Sequence, residues 1–130
     1  MPLKLQKLWL AIGTILIVFI VVLGVIPVPE DKMPIFPYAD KILHIIGYLL
    51  LMLWFTNIFS NLQIRIKLAV GFVLLGSLIE LVQYFLPYRS FEASDLVANS
   101  LGIAFGLLLG FSSLNQILQK TENIFIKIIT

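Results

Sequence analysis

The chain has 130 residues, 60% of them hydrophobic and only 12% charged, with a formal net charge of +2. Its mean hydropathy is +1.04, and a soluble domain is ordinarily ~45–50% apolar, so the composition excludes an ordinary soluble fold and indicates a single integral membrane domain. No dense basic patch marks a nucleic-acid partner. The absence of Cys excludes disulfides, thiol catalysis and Cys-ligated metals.

Lys4 and Lys7 precede an unbroken apolar run from Leu8 to Ile26. The run exceeds the usual signal-peptide core and lacks a clear Ala-x-Ala cleavage site, so a retained transmembrane helix is expected. The segment from Pro27 to Tyr38 carries four prolines. Proline fixes φ and donates no N–H, which predicts a stiff, extended loop. A second helix follows from about Asp40 to Phe59. Residues 60–67 read as a short polar turn, and a third helix as Leu68 to Leu86, stopped by Pro87. After the loop from Pro87, Ser94 is a candidate N-cap for a fourth helix, Asp95 to Phe111.

Ala98, Gly102, Gly106 and Gly110 recur every four residues. Such a stripe lets another helix approach closely, either a neighbour in the bundle or, in a homodimer through Gly102, Gly106 and Gly110, a second copy. Beyond residue 113 the pattern changes. Leu114, Ile117, Leu118, Thr121, Phe125 and Ile128 recur at helical spacing among polar residues, predicting an amphipathic helix lying in the membrane interface. The expected organisation is therefore all-α: a four-helix transmembrane domain, 1–113, and an amphipathic tail, 114–130. Lys4, Lys7, Arg65, Lys67, Lys120 and Lys127 collect on one side of such a bundle, so both termini are expected in the cytoplasm.

Polar residues inside the spans are the candidates for function, because buried polar groups in a membrane are costly and face a partner or a cavity. Asp40, His44 and Tyr48 share a face of the second helix. Glu80 and Gln83 lie on the third, Asp95 and Asn99 on the fourth, all toward the same side. Glu80 reads as a general acid or base, or else as a carboxylate paired with Arg89 or Gln83. His44 reads as a proton shuttle or a metal ligand, or as a ring satisfied by Asp40. Arg89 and Lys41 can hold an anion, or snorkel to the rim. Asp95 can polarise His44, or simply begin a helix. Asn99 needs a partner on another helix, and can orient Glu80 or bind substrate. No metal-ligand spacing motif is present, so no cofactor is expected; a divalent ion would have to use His44, Asp40, Glu80 and Asp95.

Taken together, Asp-Lys-x-x-His-x-x-x-Tyr at 40–48, Glu-x-x-Gln at 80–83, Arg89, and Asp-x-x-x-Asn-x-x-Gly at 95–102 resemble the VanZ-like family. That resemblance implies a small bacterial multi-spanning membrane protein, whose namesake is linked to low-level resistance to the glycopeptide teicoplanin. It implies functional weight for Asp40, Lys41, His44, Tyr48, Glu80, Gln83, Arg89, Asp95, Asn99 and Gly102. The expected partners are the bilayer and a lipid-linked envelope precursor or glycopeptide. The function expected is action on, or binding of, that component by catalytic Glu80, His44 and Asp95. The alternatives are a non-enzymatic shielding protein with a structural polar layer and, more remotely, a transporter or flippase.

Overall fold

The computed structural model describes residues 3–26, 39–87 and 92–130. The described residues form helices and turns only: α1 (Gln6–Val25), α2 (Ala39–Ile58), α3 (Leu62–Phe85), α4 (Ala93–Leu109), a 3-10 turn (Ser113–Gln116) and α5 (Ile117–Ile129). The Pro-rich loop and Arg89 lie outside them.

Two helix starts differ from expectation. Asn61 accepts hydrogen bonds from the amides of Gln63 and Ile64, so α3 begins at Leu62 and takes in the stretch read as a polar turn. An N-cap of this kind, followed by the good helix formers Gln63, Arg65 and Lys67, outweighs their polarity. α4 begins at Ala93, with Glu92 rather than Ser94 at the cap position. The Glu92 carbonyl accepts the Asp95 amide, while its side chain is drawn to Lys41.

α1, α2 and α3 are each long and apolar enough to cross a membrane. α4 has 17 residues, about 25 Å of helix against a hydrocarbon core of about 30 Å. It meets the same criterion only together with the segment beyond it, from which it is bent by 79°. There are thus three spans, or four when α4 and its bent continuation are taken as one.

Close approaches fix how the helices run. A methyl group at Gly102 would lie 2.3 Å from the Ile45 carbonyl oxygen; at Gly106, 2.6 Å from that of Leu49; at Gly110, 2.6 Å from Thr56. The order rises along both helices, so α2 and α4 run parallel with their backbones nearly touching. The glycine stripe is filled by α2 of the same chain, which leaves no room there for a second copy. Glu80, late in α3, meets Glu92 at the start of α4, whereas Arg65, early in α3, meets Gly110 at its end. α3 is therefore antiparallel to both. Gly24, late in α1, abuts Ile79, and Gly13 abuts Phe55. The bundle runs up, down, up, down.

Between its ends the bundle is sealed by Leu51, Met52, Phe55, Phe72 and Ile103. Large apolar side chains such as Ile15, Leu74, Phe85 and Leu108 cover the outside, as a lipid-facing surface requires. α1 is the least embedded helix, with only Gly13 fully buried.

The tail is docked on the bundle. Asn57 at the end of α2 grips it from both directions, donating to the Leu114 carbonyl and accepting the Leu118 amide. Leu118 and Glu122 are buried against the bundle, while Ile124, Phe125 and Ile128 remain exposed. α1 has no capping side chain of its own. Glu122 does that work from the far end of the chain: its carboxylate accepts the amides of Lys4 at 2.6 Å and Leu5 at 2.8 Å, and the Trp9 indole N–H at 2.9 Å. An anion at a helix N-terminus is favoured by the orphan amides and by the helix dipole.

Candidate functional site

Three helices bring their polar residues to one end of the bundle. α2 supplies His44 and Tyr48, α3 supplies Glu80 and Gln83, and α4 supplies Asn99; all five line one cavity of about 360 Å³. The helical spacing explains the convergence. His44 and Tyr48 are one turn apart on α2, and α4 lies parallel to it at backbone contact. α3 can come close because Gly76 has no side chain: a methyl there would lie 2.9 Å from the Asn99 amide nitrogen and 3.3 Å from the Tyr48 hydroxyl.

The rest of the cavity is apolar. Leu16, Phe19, Ile20 and Leu23 of α1 form one wall, and Leu43, Gly47 and Leu50 of α2 another. Phe19, Leu23, Leu43 and Leu50 are all exposed, so the cavity opens sideways, between α1 and α2, onto the lipid-facing surface. Gly47 borders that opening, and a methyl added to it would meet nothing within 4 Å.

The polar residues hold one another. His44 Nδ1 and Asn99 Oδ1 are 2.9 Å apart, and His44 Nε2 lies 3.8 Å from Asp95 Oδ1. The expected pairing of His44 with Asp40 does not occur, because Asp40 is bound to Lys41 at 2.9 Å. Glu80 is 1% exposed and accepts the Glu92 amide at 3.3 Å. Gln83 turns away from Glu80 and donates to the Gly24 carbonyl at 2.6 Å, tying α3 to the end of α1.

Asp40, Lys41 and Asp95 do not line the cavity. They form an ion cluster at its end, where the Lys41 ammonium contacts Asp40, Glu92 and Asp95. The expectation that Lys41 steadies an anionic group meets three carboxylates already on it. Their oxygens lie within 4.8 Å of one another, and the acids that gather are Asp40, Glu92 and Asp95 rather than the His44–Asp40–Glu80–Asp95 set considered for a metal. Lys41 already supplies a cation to them.

Sequence reasoning passed over Glu92 and Gly76. Glu92 looked like one loop acid among several; its place directly before a helix that already carries Asp95 was the available signal. Gly76 offered none, since its importance comes from Tyr48 and Asn99 on other helices.

A family model described as VanZ/LLP1 matches residues 3–115, covering the four bundle helices and stopping before α5. A protein of the fission yeast Schizosaccharomyces pombe (strain 972 / ATCC 24843), named "Uncharacterized protein C11E3.10", is 36% identical over 120 residues, spanning 88% of this chain and 70% of its own length. No solved structure matches the chain. The matched region contains the cavity, the ion cluster and the glycine stripe alike, and the chain belongs to the VanZ/LLP1 family.

Proposed function

We propose that this membrane protein takes a single lipid-linked molecule from the bilayer into the cavity between α1 and α2. The carrying observation is the cavity's two-part lining: an apolar wall exposed to lipid and a polar floor of His44, Tyr48, Glu80, Gln83 and Asn99. An amphiphile fits such a site with its chain along Phe19, Leu23 and Leu50 and its polar group against the floor. In the bacterial setting expected for this chain, a lipid-linked envelope precursor meets that description. A lipid-tailed glycopeptide such as teicoplanin does so as well. The relative in a fission yeast favours a lipid not confined to bacteria.

In the catalytic form of this reading, Glu80 and His44 transfer protons to and from the bound polar group. Asn99 holds one nitrogen of the imidazole and Asp95 polarises the other. In the binding form, the same residues serve as acceptors and donors alone. Gln83 on Gly24 and Asn99 on His44 favour that second form, because both are engaged in joining helices.

Gly47→Leu tests the shared part of the proposal. The new side chain enters open space, so the protein should fold as wild type while losing retention of a fluorescent isoprenoid phosphate in detergent micelles. Unchanged retention would sink the proposal. Glu80→Gln separates the two forms: turnover of a lipid-linked precursor lost with retention kept supports catalysis, and no turnover by wild type supports binding. Teicoplanin and vancomycin susceptibility, compared at equal membrane abundance, shows whether a glycopeptide is the occupant.

A further inference from the structure

The opposite end of the bundle holds a second cavity, of about 420 Å³, with a different character. It is lined by Gln6, Ser60, Arg65, Asn115, Gln116 and Gln119 among others, with no acidic residue. Arg65 is only 4% exposed, and a buried guanidinium ordinarily sits beside a carboxylate. Here, among the described residues, no carboxylate pairs with it. Its Nε and both Nη atoms donate instead to the carbonyls of Phe59, Gly110 and Thr56, at the ends of α2 and α4. Those bonds use three of the five donors a guanidinium carries; the Phe111 ring lies 5.8 Å from the guanidinium carbon, and the remaining two donors make no hydrogen bond to a described residue.

The surroundings are basic. Lys4, Lys7 and Lys120 each lie next in sequence to a cavity residue. Four of the five acids of the described residues are at the other end: Asp40 and Glu92 in the ion cluster with Asp95, and Glu80 beside them. The fifth, Glu122, is consumed by Lys4, Leu5 and Trp9. The amides of Gln6, Gln116 and Gln119 bond to no other described residue, and amide N–H groups beside a guanidinium match the oxygens of a phosphate.

We infer that this second cavity is a phosphate-binding site centred on Arg65. Its position, where the amphipathic α5 turns by 79° from α4 and docks on the end of the bundle with an exposed apolar face, puts it at the level of lipid headgroups. The shared chemistry is a phosphate group, carried either by an anionic phospholipid or free in solution. The site is separate from the cavity at Glu80, and the sealed apolar core lies between them.

The test uses the full-length protein in nanodiscs of phosphatidylcholine alone, of phosphatidylcholine with phosphatidylglycerol, and of phosphatidylcholine with added inorganic phosphate. Trp9 and Trp54, in edge contact at 5.9 Å beside this end, give an intrinsic fluorescence readout, and native mass spectrometry counts retained lipid. Because Arg65 also holds α2 and α4 together, the diagnostic variant is Gln119→Glu. It places a carboxylate on the wall without touching the Arg65 bonds, and should weaken phosphatidylglycerol retention by at least about tenfold through like-charge repulsion. Lys127→Gln, which removes a charge away from the wall, should leave retention nearly unchanged. A response to inorganic phosphate in phosphatidylcholine that Gln119→Glu also abolishes assigns the site to free phosphate. Equal losses in the two variants, or no response to either phosphate source, would overturn the inference.

Discussion

Glu122 shows how much one side chain can hold. Burial alone pushes its carboxyl up, but the Trp9 indole and the amides of Leu5 and Lys4 outweigh that and hold it below its ordinary value of 4.5. A carboxyl whose folded pKa is depressed contributes stability that is present above the unfolded pKa and fades as pH falls through the folded one. Docking of α5 should therefore be complete at neutral pH and weaken progressively below about pH 4.5, read by Trp9 fluorescence and by protease cutting near Ile117. Glu122→Gln should undock the tail at neutral pH, at a cost of roughly 1–3 kcal/mol for the donors left unsatisfied. A variant tail as protected as wild type would show that Leu118 and Asn57 suffice. Arg65 is the comparable residue on α3, answering the carbonyl ends of two helices as Glu122 answers the amide start of one. Neither was legible in the sequence. Arg65 lies near the start of α3 and Glu122 midway along an amphipathic helix, where a solvated side chain is the ordinary outcome, and each answers partners on other helices.

At the scale of elements, the glycine stripe of α4 was legible and its partner was not. The four-residue repeat announces a close approach, but only the fold shows that the Ile45 and Leu49 carbonyls fill it. This makes a contrast testable. Gly102→Ala puts a methyl against backbone that cannot turn aside, so it should destabilise the protein by at least about 1–3 kcal/mol. Gly71→Ala meets nothing within 4 Å, and should be neutral or stabilising by up to about 1 kcal/mol from helix propensity. Thermal unfolding in detergent distinguishes them, and equal effects would contradict the parallel α2–α4 contact. The polar face of α2 was legible for the same reason as the stripe: His44 and Tyr48 repeat at helical spacing in an apolar run. Partner choice was less so. Asn99 outcompetes Asp40 for His44 because Lys41 takes Asp40 first, a rivalry that spacing alone does not reveal.

For the whole molecule, the helical class and three of the four expected spans were legible from hydropathy, while the shortness and bend of α4, which make the fourth depend on its continuation, followed from where its helix stops. The orientation rests on the distribution of charge. With Lys4, Lys7, Arg65, Lys67, Lys120 and Lys127 at one end, that end is expected to face the cytoplasm. The chain has no Cys, so single cysteines can be introduced one at a time. Ser113→Cys should react with an impermeant maleimide only after the membrane is opened, and Ser94→Cys in intact cells. The reverse pattern would invert the bundle and place the Glu80 cavity toward the cytoplasm.

The contact between Glu122 and Lys4 joins residues 118 positions apart. During synthesis, α1 emerges before α2, α3 and α4 and waits with its leading amides unanswered until α5 is made and returns to close it. A ribosome that stops early, anywhere before Glu122, releases a chain whose first helix is never finished. Closure of α1 is thus a record of synthesis through Glu122, and a product cut short before that residue should differ in its survival against membrane proteases as well as in its length.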